Sequence, residues 1–71
     1  MSVSKKKLKI NGALYKFDSH FTVFSLLDYL GFNTELIVID YNGSILPKEF
    51  WGQTPLKSND NLEILTVAGG G

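Results

Sequence analysis

The 71-residue sequence has no cysteine and no arginine, only two prolines, and a single histidine, tryptophan and methionine. Without cysteine there is no disulfide to staple so small a chain and no thiolate to bind zinc, so packing alone must hold the fold. Seven lysines balance seven acidic residues, so the basic excess that neutralises nucleic-acid phosphates is missing. The one basic cluster, Lys5 to Lys7 with Lys9, reads as a solvated end of the chain. No apolar run approaches the roughly 20 residues of a bilayer span, and no apolar stretch of a signal peptide follows Met1. A soluble protein is expected, in the cytoplasm or, if organelle-encoded, in an organelle stroma. No nucleic-acid or membrane partner is expected.

Recognisable catalytic machinery is also scarce. His20 has no neighbouring nucleophile or carboxylate and reads as a turn residue. Asp40, Glu49 and Asp60 are scattered over strand, turn and loop without the spacing of a metal loop, and read as surface charges. Neither G-x-x-x-x-G-K-S/T nor G-x-G-x-x-G occurs, so nothing cradles a nucleotide and any ATP chemistry must come from a partner.

Hydrophobic residues make up 44% and charged residues 20%, a globular balance for one small domain over 1–71. Leu8 to Ile10 and Leu14 to Phe17 are short alternating runs separated by Asn11-Gly12, the dipeptide favoured by a tight hairpin turn. Val23, Leu26, Leu27 and Leu30 form a helical stripe, with Thr22 as N-cap, Phe21 and Leu26 as a hydrophobic staple, and Gly31 as the left-handed stop. Ser25 and Asp28 fall off that stripe and are expected to face water. Ile37 to Tyr41 reads as a strand, Asn42-Gly43 as a turn and Ser44 to Leu46 as a brief return strand. Pro47 can open a helical turn through Trp51, with Gly52 as its stop and irregular chain from Pro55. Leu62 to Val67 is the last strand, placed beside the first. The core is expected to include Leu26, Leu27, Leu30, Ile37, Ile39, Leu62 and Ile64. Helix and sheet together make an α+β layer, a mixed sheet of four to five strands with one main helix across it.

The C-terminus is the feature the fold does not require. Gly69, Gly70 and Gly71 follow the last strand directly, and glycine is costly to order and has nothing to pack. A flexible tail over 68–71, whose three glycines have no Cβ atom, suits a narrow tunnel, and it presents a carboxylate that is a poor acyl electrophile until activated. A frayed end is the structural alternative. Phe50, Trp51 and Leu65 are candidates for a docking surface beside that tail, with burial in the core the stronger reading for Trp51.

These residues resemble a family, the sulfur-carrier proteins of thiamine biosynthesis (ThiS), which are ubiquitin-like β-grasp proteins. The resemblance covers Leu8 to Gly71. It rests on Thr22-Val23 with Leu26-Leu27 and Leu30, on Leu46-Pro47-Lys48-Glu49 with Trp51, and on Asp60 through the glycine end. Lys48 stands where arginine is common, the tail has three glycines where many members have two, and Ser2 to Lys7 form an additional leader. The resemblance implies a protein co-substrate rather than an enzyme. An E1-like, ThiF-like adenylyltransferase would use ATP to adenylate Gly71, with Gly70 and Gly69 in its channel. A sulfur donor enzyme would convert the adenylate to a thiocarboxylate, and a ThiG-like thiazole synthase would accept the sulfur. This chain would bind no cofactor or metal itself. The molybdopterin synthase small subunit is the nearest alternative, although Thr66-Val67-Ala68 lacks its proline, and a ubiquitin-like modifier or a plain interaction domain also remains open.

Overall fold

The computed structural model describes residues 5–67. The start of the leader, and Gly69, Gly70 and Gly71 of the tail, lie outside the described residues.

Five strands form one sheet, β1 (Lys6–Ile10), β2 (Ala13–Phe17), β3 (Ile37–Tyr41), β4 (Ser44–Leu46) and β5 (Asn61–Thr66), in the order β2-β1-β5-β3-β4. The central pair β1–β5 is parallel and the other pairs are antiparallel, so the last strand does enter beside the first. Both hairpins turn on Asn-Gly. Asn11 and Asn42 have φ of 51° and 52°, and Gly12 and Gly43 follow at 83° and 94°, the paired positive φ that a type I′ turn needs.

The one α-helix among the described residues, α1 (Val23–Leu30), crosses one face of the sheet. Thr22 Oγ1 accepts the Ser25 N–H at 3.1 Å, and Ser25 Oγ accepts the Thr22 N–H at 2.8 Å, a reciprocal cap. Ser25 is therefore half-buried in the cap rather than turned to water, which corrects the sequence expectation, whereas Asp28 is exposed. Gly31 stops the helix at φ 84°. A 3-10 segment, Lys48–Gln53, packs against α1 and carries Trp51 into the core. It runs past Gly52, because the Thr54 hydroxyl bonds the Phe50 carbonyl at 2.7 Å and finishes the turn there.

The core between helix and sheet consists of Leu8, Ile10, Val23, Leu26, Leu27, Ile37, Ile39, Trp51, Leu56, Leu62 and Ile64. Leu30 does not belong to it. It is 38% exposed, because the helix ends at that residue and Gly31 turns the chain away before anything covers it. Trp51 is 1% exposed and its indole N–H donates to the Leu46 carbonyl at 2.9 Å. Burying so large a ring while satisfying its one donor is a stabilising arrangement for a chain with no covalent staple.

Candidate functional site

The side chains of β5 divide between two faces. Leu62 and Ile64 point into the core, so Glu63 and Leu65 lie on the face away from the helix. On that open face Leu65 is paired directly with Val38, and Ile45 stands opposite Asp40, diagonal to Val38. Leu65, Val38 and Ile45 are 48%, 37% and 61% exposed. Leu36 and Val67, at the point where the chain leaves the sheet, are exposed too, so an apolar strip leads to the root of the tail. Charges on the same face are segregated. Asp40 is paired with Glu63 beside the strip, and Lys7 with Lys16 on the far strands. Like charges placed directly opposite do not help the sheet, so this face is not optimised for folding alone.

The three residues named from the sequence as docking candidates therefore separate. Leu65 lies on the exposed strip. Phe50 is 45% exposed but belongs to the segment packed against the helix, in the other layer. Trp51 is withdrawn as a surface residue, because its ring fills the core. Val38 and Ile45 were missed, although the alternation of Ile37, Val38 and Ile39 already assigns Val38 to the opposite face from the core.

Asp60 also departs from the sequence reading. It is 7% exposed, not a surface charge. Its carboxylate accepts the Tyr41 hydroxyl at 2.8 Å, the Lys57 N–H at 2.8 Å and the Asn42 side-chain amide at 3.1 Å. Burial pushes the carboxyl up, but these three donors with the nearby Lys57 charge outweigh it and hold the group below its ordinary value. Burial, the bond to Asp60 and the Asp60 charge push the Tyr41 phenol up to about 12. The cluster ties the β3–β4 turn to the loop that launches β5, at the end of β5 opposite to the tail, and its role is structural.

No group of three or more His, Cys, Asp or Glu able to hold a metal occurs among the described residues. A groove of about 450 Å³ between the first hairpin and the end of α1 is lined by Ile10, Asn11, Ala13, Tyr15, Leu30 and Phe32. It offers no acid–base pair for chemistry.

Comparison with known proteins gives this arrangement its place. The model of the ThiS family matches residues 8–71. The chain belongs to the ThiS family. In structure it is similar to the crystal structure of the thiamine biosynthesis protein (ThiS) from Geobacter metallireducens. The TM-score is 0.80 at 31% identity, over 92% of this chain and 99% of that one. That match confirms the β-grasp fold. In sequence it is 38% identical over 66 residues to the uncharacterized protein ycf40 of Trieres chinensis, covering 93% of this chain and 90% of that protein. It is also 37% identical over 65 residues to a thiazole synthase of Paramagnetospirillum magneticum, covering 92% of this chain but 20% of that protein. ThiS-family proteins are small sulfur carriers rather than catalysts. No helix among the described residues is long and apolar enough to cross a membrane.

Proposed function

We propose that this chain carries sulfur for thiazole formation in thiamine biosynthesis on the carboxylate of Gly71. An E1-like, ThiF-like enzyme joins that carboxylate to the α-phosphorus of ATP, and pyrophosphate leaves. The acyl adenylate is the activated electrophile that a free carboxylate is not. Sulfide delivered by a donor enzyme then attacks the acyl carbon, the bond from that carbon to the AMP oxygen breaks, the proton goes to solvent, and a thiocarboxylate is left, whose soft sulfur is nucleophilic at neutral pH. A ThiG-like thiazole synthase takes that sulfur. ATP is used by the activating partner, and this chain binds no cofactor of its own. The site of action is the cytoplasm or an organelle stroma.

The observation that carries this reading is the continuity of the family match through Gly71, on a domain whose last strand ends beside an exposed apolar strip. The Paramagnetospirillum thiazole synthase supports it. There the matching segment occupies a fifth of a longer chain named as a thiazole synthase, the enzyme class that this reading makes the sulfur acceptor. The same two likenesses favour thiamine over molybdopterin supply. In the shared mechanism Leu65, Val38 and Ile45 dock the activating enzyme, because a short glycine tail has no side chains with which to be recognised.

The reading is tested by ATP–pyrophosphate exchange with the cognate activating enzyme. The full chain should support exchange and a chain ending at Ala68 should not. Equal exchange by both would return the glycines to a frayed end.

A further inference from the structure

The end of the last ladder is built by a device involving two side chains far apart in sequence. On one side of β5, parallel pairing with β1 reaches only Leu62, after which Asn11 Oδ1 accepts the Ile64 N–H at 2.7 Å. On the other side, pairing with β3 runs to Thr66 opposite Ile37, and one further bond from the Val67 N–H to the Leu36 carbonyl, 2.7 Å long, closes it. Leu36 cannot prolong β3, because it belongs to a three-residue 3-10 turn, Thr34–Leu36. That turn is set at its start by Asn33, whose Oδ1 accepts the Glu35 N–H at 3.0 Å and whose carbonyl accepts the Leu36 N–H at 3.0 Å. It is held from outside by Lys48, whose ammonium donates to Glu35 Oε2 at 2.6 Å. Lys48 opens the second 3-10 segment directly after β4 and Pro47, so the ion pair ties the turn to the edge of the sheet. The hydrogen bond and charge of Lys48 hold the Glu35 carboxyl below its ordinary value.

We propose that Glu35 and Lys48 are positioning residues for the C-terminal tail: their ion pair braces the 3-10 turn so that Leu36 keeps hold of Val67 and fixes where the acyl-carrying terminus leaves the domain. The inference rests on the sulfur-carrier reading for its purpose, and on the geometry alone for the brace. A surface pair with side chains 45% and 78% exposed contributes little to global stability, so its effect is local. Residues 68–71 span at most about 13–14 Å fully extended. Losing the Val67 bond moves the last backbone anchor of β5 back by one residue, roughly 3.5 Å, and adds a residue's worth of backbone freedom before an end that must meet the phosphorus of ATP. A reacting atom fixed about 1 Å out of place can lose about 100-fold in rate, and a tether that still samples the right place loses less.

Two readouts on four proteins decide it: wild type, Lys48→Met, Glu35→Gln, and the swapped pair Glu35→Lys with Lys48→Glu. Amide hydrogen exchange at Val67 should quicken by about tenfold in each single variant and return near the wild-type rate in the swap, with Ile39 and Leu62 unaffected. Adenylation should follow, with kcat about three- to tenfold lower in the two single variants, KM nearly unchanged, and kcat restored by the swap. Unchanged exchange at Val67 in both single variants overturns the brace. A swap that restores Val67 exchange but leaves adenylation slow overturns the positioning role instead, because the pair is then a direct contact of the enzyme. If the wild-type chain is not adenylated at all, the sulfur-carrier reading fails, and the exchange measurement still decides the brace.

Discussion

Replacing Asp60 with alanine should be among the most damaging single changes outside the apolar core, and the structure supplies the magnitude. The substitution removes one carboxylate and strands three donors, the Tyr41 hydroxyl, the Lys57 N–H and the Asn42 amide. Hydrogen bonds to a charged acceptor are worth about 1.5–3 kcal/mol each, but Tyr41 and Asn42 are partly exposed and recover water, so the net cost should be about 2–4 kcal/mol. For a chain of this size that lowers the melting temperature by about 10–25 °C. The linkage has a definite sign. Asp60 has a folded pKa below its unfolded value of about 3.9, so its stabilisation is present above that pH and is lost as pH falls through the folded value. Tyr41 is raised to about 12, so its contribution is complete below pH 10 and disappears as pH rises towards 12. Melting curves followed by circular dichroism from about pH 2.5 to 7 should show Asp60→Asn losing the acid-labile component that the wild type displays. An Asp60→Ala protein melting within about 2 °C of wild type at neutral pH would refute the argument, since three stranded donors cannot be that cheap.

Three further outcomes follow from the same physics. Leu27→Ala should cost about 2–5 kcal/mol, because Leu27 is 0% exposed and the cavity it leaves has no way to collapse between helix and sheet; chemical denaturation measures it. Leu65→Asp should leave the melting temperature nearly unchanged while raising the KM for the activating enzyme by at least about tenfold, and an unaltered KM would remove the open face from the docking surface. Gly70→Ala should melt like wild type yet slow adenylation sharply, on the order of 100-fold, because a Cβ must enter a channel shaped for bare backbone; adenylation at the wild-type rate would show that the channel is wide.

How much of this was legible in the sequence varies with the range of the interaction. Local signals translated directly. Asn11-Gly12, Asn42-Gly43, Thr22 and Gly31 each dictate one backbone geometry within a few residues, and each appears in the structure where the sequence puts it. Alternation was legible too, since Ile37 and Ile39 mark the buried side of β3 and leave Val38 outside. What escaped were consequences of chain segments meeting from afar. Asp60 looks like a turn residue, and only the return of Tyr41 and Asn42 beside it makes it a buried acceptor. Leu30 completes a helical stripe by periodicity, yet the stripe outlasts the sheet beneath it. Leu56 follows Pro55 in a stretch with no periodicity, and it is buried because its N–H bonds the Phe21 carbonyl and brings the segment under the helix. For the site, the sequence names the glycine terminus, which lies outside the described residues; the apolar strip was legible only in part, and the Glu35–Lys48 tie not at all, because a contact across 13 residues has no local signature.

Transfer of sulfur tests the central claim most directly. The protein is incubated with ATP, its cognate activating enzyme and an isotopically labelled sulfur donor, and intact mass is recorded before and after addition of thiazole synthase with its other substrates. The account predicts that the C-terminus first exchanges one oxygen for one labelled sulfur, and that the label then moves from Gly71 into the thiazole while the protein regains a carboxylate. A protein that never acquires the label, or a thiazole that forms without drawing sulfur from it, would contradict the account.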